Sequence, residues 1–122
     1  MNLDNLRNHV QTHFRVEVRR EDSATVLTVS GELDLASSPT LEQELARVGN
    51  AGSEIVILDL HELEFMDSTG LSVVVKAHQQ AQEAGRCFGL VKGRPQVQRL
   101  LSLTGVAERM PLADSVQELL AG

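Results

Sequence analysis

The chain has 122 residues, of which 42% are hydrophobic and 23% charged, so it suits one packed domain and is not a disordered chain. Its net charge of −6 and its three phenylalanines argue against a nucleic-acid binder, which needs a basic face and often stacking aromatics. We find no apolar run of membrane-helix length and no signal-peptide pattern, so we expect a cytoplasmic protein.

The first stretch of the chain predicts a β-hairpin after a short N-terminal arm. Residues 1–12 are mostly polar and are interpreted as the arm, and the folded domain is predicted over 13–122. Residues 14–19 alternate apolar and polar side chains, and residues 25–30 are rich in β-branched ones, so both predict strands. The polar residues between them form the turn, and the chain is expected to leave the second strand at 31–34.

A helix and a buried strand are predicted next. Ser37, Ser38 and Pro39 are typical of a helix start, with a serine N-cap and proline at the first helical position, and Gly49 is typical of the helix end. Residues 54–60 form an almost unbroken apolar run, which indicates a central strand covered on both faces. Residues 61–64 are interpreted as a short link.

The second half of the chain continues the alternation of helices and strands. A helix is predicted over 69–84 and an apolar strand over 87–91. Pro95 begins a third helix, residues 106–110 are predicted to be a short edge strand, and Asp114 is expected to cap a final helix over residues 115–120. This order predicts an α/β fold with a mixed, mostly parallel sheet of four to five strands and about four helices.

The most informative segment is Asp67–Leu71, where a buried strand gives way to a helix. Sites in open α/β sheets lie outside the carboxyl ends of strands. Ser68 or Thr69 at this helix start has two interpretations: a plain N-cap, or a phosphate acceptor. A phosphate on Ser68 would meet the positive end of the helix dipole and its free N–H groups, and it would add about −1.5 to −2 charges.

A second acidic segment, Gly31–Asp34, follows the second predicted strand. Its carboxylates are either solvated loop side chains or part of the site. In the second interpretation Asp34 lies beside Ser68, where it hydrogen-bonds the hydroxyl or helps a partner kinase engage it.

No cofactor, metal site or catalytic residue is predicted. His9 and His13 have the spacing of a metal pair on a helix, but no third ligand is evident. Cys87 is interpreted as a small buried hydrophobe. The chain lacks the glycine-rich phosphate-binding loops, and Ser68 lacks the G-x-S-x-G pattern of a serine hydrolase.

Taken together, these segments resemble the STAS domain family, specifically its stand-alone bacterial anti-sigma-factor antagonists. The resemblance covers 14–120 and depends on TVLTVSGELDLASSPTLEQEL, on IVILDLHELEFMDSTGLSVVVKAHQQA and on GLVKGRPQVQRLLSLTGVAERMPLADSVQELL. The GELD and FMDSTGL segments at this separation are specific as a pair, whereas either alone is a weak signal.

The resemblance implies a protein partner and a switch. In the family, the antagonist binds an anti-sigma factor that is also a serine kinase with a histidine-kinase-like ATP-binding fold, and binding frees the sigma factor. The kinase phosphorylates the serine at the position of Ser68, the modified antagonist dissociates, and a serine phosphatase resets the switch. The residues implied in phosphorylation and partner binding are Asp34, Asp67, Ser68, Thr69, Gly70 and Leu71.

A different function within the same family stays open at this point. A STAS domain can serve as a subunit of a membrane lipid-transport complex, where it supports an ATP-binding transporter subunit and need not be phosphorylated. The intact Asp-Ser-Thr-Gly segment favours the phosphorylated antagonist over this alternative.

Overall fold

In the computed structural model, which describes residues 14–121, five strands form one sheet in the order β1-β2-β3-β4-β5. The strands are β1 (Arg15–Glu21), β2 (Ala24–Leu33), β3 (Ile55–Met66), β4 (Cys87–Val91) and β5 (Leu112–Ala113). β1 runs antiparallel to β2, and all other neighbours are parallel. The mixed, mostly parallel sheet expected from the sequence is confirmed.

Four helices accompany the sheet within the described range. They are α1 (Ser38–Asn50), α2 (Ser68–Glu83), α3 (Pro95–Leu103) and α4 (Val116–Ala121). The predicted order of helices and strands is confirmed, and no helix among the described residues is long and apolar enough to cross a membrane. The predicted arm at 1–12 and the histidine pair within 9–13 lie outside the described residues.

The two faces of the sheet carry separate apolar clusters. The larger cluster includes Leu27, Leu58 and Leu90 and is covered by α1, α2 and α3. The smaller includes Val26 and Ile57 and is covered by α4. Because successive strand residues point to opposite faces, the nearly continuous apolar run in β3 supplies both clusters.

Strands β2 and β3 are both longer than the sequence predicted. The prediction ended β2 before Gly31 and β3 at Leu60, but the strands continue to Leu33 and Met66, which pair with each other. Two register shifts interrupt the ladder between positions 28 and 32. The ends were predicted wrongly because an irregular register interrupts the alternation of apolar and polar residues, and this alternation is what predicts where a strand ends.

The predicted edge strand over 106–110 is also wrong. Val106–Glu108 forms a 3-10 turn, and the edge strand β5 follows at Leu112–Ala113. Val106 and Met110 are both buried, and their spacing of four is that of a helical turn. Leu103, the last residue of α3, is 77% exposed.

Two smaller expectations are corrected by side-chain positions. Cys87 is exposed at the first residue of β4 and is not a buried hydrophobe. Ser115 caps the final helix in place of Asp114, because its hydroxyl accepts a hydrogen bond from the N–H of Glu118 at 3.1 Å. The Glu118 carboxylate accepts in turn from the N–H of Asp114, the residue before the cap, at 2.8 Å.

Candidate functional site

The candidate site lies where β2 and β3 end side by side. Leu33 and Met66, the last residues of the two strands, are paired in register. The N–H of Asp67 then donates to the carbonyl oxygen of Leu33 at 3.1 Å. The carboxyl ends of these parallel strands therefore bring the loop that begins at Asp34 and the start of α2 to the same edge of the sheet.

Gly70 lets the first turn of α2 approach β2 this closely. The residue is buried, and a Cβ atom built on it would lie 2.6 Å from Leu33 Cγ and 2.8 Å from the Leu33 carbonyl oxygen. Real Cβ atoms do not make contacts this short, so any side chain at this position would force the helix away from the strand. The glycine of the Asp-Ser-Thr-Gly segment thus has a packing role.

Asp67, and not Ser68 or Thr69, is the residue that caps α2. Its Oδ1 accepts a hydrogen bond from the N–H of Gly70 at 2.9 Å, and its backbone is extended. Its carbonyl accepts from the N–H of Leu71 at 3.0 Å. The plain N-cap interpretation of Ser68 is therefore wrong, because the capping position is already taken one residue earlier.

Ser68 is the first residue of the 16-residue helix α2 and is exposed. Among residues 14–121, no hydrogen-bond partner is found for its hydroxyl, and its carbonyl accepts from the Ser72 hydroxyl at 3.0 Å. The side chain therefore faces solvent at the positive end of the helix dipole. A phosphoryl group added here would need no rearrangement of a buried hydrogen bond.

Asp34 is engaged within its own loop. Its Oδ1 accepts hydrogen bonds from the N–H groups of Ala36 and Ser37 at 3.0 and 3.1 Å. The expected hydrogen bond between Asp34 and the Ser68 hydroxyl is not formed. The carboxylate instead fixes the turn between β2 and α1, as aspartate does in Asx turns.

The start of α1 is closed by its own serines. The predicted serine side-chain cap is not formed, and the Ser37 hydroxyl instead donates to the Glu32 carbonyl at 2.7 Å. Ser38 is 2% exposed, and its hydroxyl donates to the Asp34 carbonyl at 2.7 Å. Both hydroxyls therefore serve the loop, and neither is offered to a partner.

Two large apolar side chains at this edge were missed by sequence reasoning. Leu35, next to Asp34, is 74% exposed, and Phe65, one residue before the end of β3, is 47% exposed. For Leu35 the sequence did offer a signal, because a leucine in a polar turn has no predicted strand or helix to pack against. We refer to Leu35 and Phe65 together as the apolar pair.

The structure thus brings all the predicted site residues to one edge but exposes them unequally. Ser68 is exposed and Gly70 is buried, while the others are half-buried: Asp34, Asp67, Thr69 and Leu71. A partner at this edge would meet Ser68 and the apolar pair most directly. Gly70 acts through the position of α2.

No group of three or more His, Cys, Asp and Glu side chains within residues 14–121 could hold a metal ion. A groove of about 380 Å³ runs between α1 and α2, with Leu45, Ala81 and Phe88 among its lining residues. None of the predicted site residues lines this groove.

Comparisons with known proteins agree with this architecture. A family model described as "STAS domain" matches residues 15–119. The anti-sigma F factor antagonist of Paenibacillus polymyxa is 27% identical over 104 residues, which cover 84% of this chain and 89% of the relative. The anti-sigma-B factor antagonist of Bacillus subtilis (strain 168) is 27% identical over 96 residues, covering 79% of this chain and 87% of the relative.

A solved structure gives the same picture. The crystal structure of an anti-sigma factor antagonist from Mycobacterium paratuberculosis superimposes with a TM-score of 0.81 at 29% identity. The match covers 89% of this chain and 92% of the other. The similarity therefore extends over nearly the full length of both proteins.

Proposed function

The chain belongs to the STAS domain family, and from that premise we propose that it is an anti-sigma-factor antagonist switched off by phosphorylation of Ser68. In this proposal the protein is not an enzyme. It works in the cytoplasm by binding an anti-sigma factor, and binding releases the sigma factor held by that partner. The relatives named above support the class of partner, since they are themselves described as anti-sigma factor antagonists.

The proposed partner is both binder and modifier. We propose that the anti-sigma factor is a serine kinase with a histidine-kinase-like ATP-binding fold, which transfers a phosphoryl group to Ser68 and then releases the antagonist. A serine phosphatase removes the group and restores binding. The observation that carries this proposal is the exposed Ser68 hydroxyl, which has no partner within residues 14–121 and lies at the first position of α2.

The start of α2 suits a serine that must exist with and without a phosphate. The cap is supplied by Asp67, so modification of Ser68 leaves the helix start intact. The dianionic group would lie beside the positive end of the helix dipole and near backbone N–H groups of the first turn. Phosphorylation therefore changes the charge of the surface without a cost in the fold.

The apolar pair explains how a partner would hold this edge. Leu35 and Phe65 are the large exposed apolar side chains nearest to the ends of β2 and β3. Their burial against an apolar patch of the kinase would supply affinity. Ser68 follows Phe65 by three residues, and the paired ends of β2 and β3 bring the loop that holds Leu35 to the same edge, so the Ser68 hydroxyl would be covered in the same interface.

Charge alone is enough to reverse such binding. Two like charges about 4 Å apart interact by roughly 4 kcal/mol at an effective dielectric of about 20, and solvent and salt reduce this. A remaining penalty of about 2 to 3 kcal/mol weakens binding by roughly 30- to 150-fold. No conformational change in the antagonist is needed.

A pull-down from the native host tests the proposal. Wild-type and Ser68→Glu proteins serve as parallel baits, with mass spectrometry as the readout. Ser102→Glu is the matched control, because it adds the same charge at an exposed helical position on α3. We expect a kinase-fold anti-sigma factor with the wild type and the control, and its loss with Ser68→Glu.

Two outcomes would contradict the proposal. Equal capture of the kinase by Ser68→Glu and wild type would refute the charge mechanism. Capture of a transporter ATPase by all three baits, with no anti-sigma factor, would assign the chain to a membrane lipid-transport complex instead.

A further inference from the structure

The outer edge of β1 is a second surface of the molecule, separate from the Ser68 edge. β1 is the first strand of the sheet and pairs only with β2 among the described residues. Its seven residues therefore direct alternate N–H and C=O groups away from the sheet. Val18, at its centre, is 46% exposed.

The charges along this edge alternate on one face of the sheet. Arg15, Glu17, Arg19 and Glu21 are the odd-numbered residues of β1, so they share the face of Val26, which pairs with Arg19. The row reads positive, negative, positive, negative. Arg15 and Glu17 are 71% and 72% exposed, so these charges are presented to solvent.

The last two charges of the row, Arg19 and Glu21, are held in position by contacts with other parts of the fold. Arg19 donates to the Thr28 hydroxyl at 2.8 Å and lies 3.3 Å from the Glu21 carboxylate. Glu21 also accepts a hydrogen bond from the Gln117 amide at 3.0 Å. The amide is neutral, so Glu21 keeps its charge and the row keeps its alternation.

Symmetry limits how this edge can meet a second copy of itself. Two antiparallel edge strands from identical chains are related by a two-fold axis perpendicular to the sheet, so opposed residues point to the same face. With the axis at Val18, Arg15 opposes Glu21 of the second copy, and Glu17 opposes Arg19 of the second copy. Each contact occurs twice, and all seven residues of the strand are paired.

The neighbouring registers are unfavourable. With the axis at Glu17, this residue opposes its own copy and Arg15 opposes Arg19. With the axis at Arg19, this residue opposes its own copy and Glu17 opposes Glu21. Directly opposed like charges destabilise a strand pair, whereas opposite charges stabilise it. Registers with the axis at Val16 or Arg20 also oppose unlike charges, but they pair only three residues of the strand. The register centred on Val18 is therefore the one that opposes unlike charges along all seven residues.

We propose that the outer edge of β1 binds the β1 edge of a second copy of this chain, in the antiparallel register centred on Val18. The two sheets then form one continuous ten-stranded sheet across the dimer, built from five described strands in each copy. Val18 meets its own symmetry mate, and the stem of Arg20 lies beside Val16 of the second copy.

The interaction is expected to be weak and reversible. A single strand pair buries less surface than a permanent dimer needs. The existing ion pairs Arg15–Glu17 at 3.8 Å and Arg19–Glu21 at 3.3 Å are solvent-exposed to differing degrees, and such pairs exchange partners at little cost. Dimerisation is therefore expected to depend on protein concentration.

Complementary charge reversal tests the register. In Glu17→Arg, position 17 opposes Arg19 of the second copy with like charge, and in Arg19→Glu two carboxylates oppose each other. A mixture of the two variants restores opposite charges at every position of the strand pair. Glu83→Arg and Arg109→Glu, both at exposed positions elsewhere, are the controls for net charge.

Sedimentation velocity of the full-length, unphosphorylated proteins across a concentration series gives the result. We expect wild type and controls to dimerise, each single variant to dimerise roughly tenfold more weakly or worse, and the mixture to recover wild-type association. Circular dichroism verifies folding. If Arg19→Glu unfolds, Glu17→Arg alone must weaken association. Its side chain is 72% exposed, and its ion pair within residues 14–121 is with Arg15.

The proposal is overturned if wild type stays monomeric at the highest concentration, if Glu17→Arg associates as strongly as wild type, or if the mixture of folded variants fails to recover. None of these outcomes bears on the phosphorylation of Ser68, since no kinase is present in the experiment.

Discussion

Helices α1 and α2 begin at the same edge of the sheet with similar residues, but their serines are used differently. At α1 the hydroxyls of Ser37 and Ser38 donate to the backbone carbonyls of Glu32 in β2 and of Asp34 in the following loop. At α2 Asp67 makes the cap, and the exposed Ser68 hydroxyl has no partner within residues 14–121. A serine at a helix start is therefore available for modification only when another side chain makes the structural contacts.

Among the variants that test this comparison, Gly70→Ala is expected to change the free energy of unfolding most. The new Cβ atom would overlap the carbonyl oxygen of Leu33, so we expect the free energy of unfolding to fall by about 1–3 kcal/mol. Helix propensity alone predicts the opposite sign, since alanine is the better helix former. Urea denaturation measures the change, with the exposed Ser72→Ala as control. A Gly70→Ala protein as stable as wild type would disprove the close approach of α2 to β2.

Removal of the cap is the next largest change. Asp67→Ala leaves the N–H of Gly70 without its acceptor, so we expect a loss of about 1 kcal/mol in the free energy of unfolding. Asp67→Asn retains a capping oxygen and serves as the matched control. If both variants lose stability equally, Asp67 does not act as the cap.

The comparison between the two helix starts is tested by matched serine deletions. Ser38→Ala removes a buried hydroxyl that donates to the Asp34 carbonyl, and we expect a loss of about 1 kcal/mol. Ser68→Ala should change stability by less than about 0.5 kcal/mol, because its hydroxyl is exposed. Thermal or urea unfolding measures both. A greater loss for Ser68→Ala than for Ser38→Ala would reverse the assignment of the two serines.

Sequence reasoning found the order of the elements, and it predicted that Asp34 and the Asp67–Leu71 segment meet at one edge of the sheet. The alternation of apolar and polar residues in β1 and the apolar run in β3 depend only on local periodicity, so they were predictable. The ends of β2 and β3 were not, because the pairing of Leu33 with Met66 is a contact between distant segments across an irregular register.

The hydrogen bonds made by individual side chains at the site could not be predicted from the sequence either. Asp67 and Ser68 are both good capping residues, and only the backbone direction at the end of β3 decides which one caps. Asp34 was expected near the Ser68 hydroxyl, but a closer set of backbone N–H groups binds its carboxylate. Residue type alone allowed several roles for these side chains, and the local hydrogen bonds of the folded chain determine which role each one has.

The central claim is tested most directly by locating the phosphate. The full-length protein is incubated with ATP and the kinase captured from host lysate, digested with trypsin, and sequenced by mass spectrometry. Trypsin cleaves after Arg47, so the two helix starts fall in different peptides. We predict one phosphate, on Ser68, that is absent from Ser68→Ala. Phosphate on Ser37 or Ser38, or equal labelling of Ser68→Ala, would contradict the account.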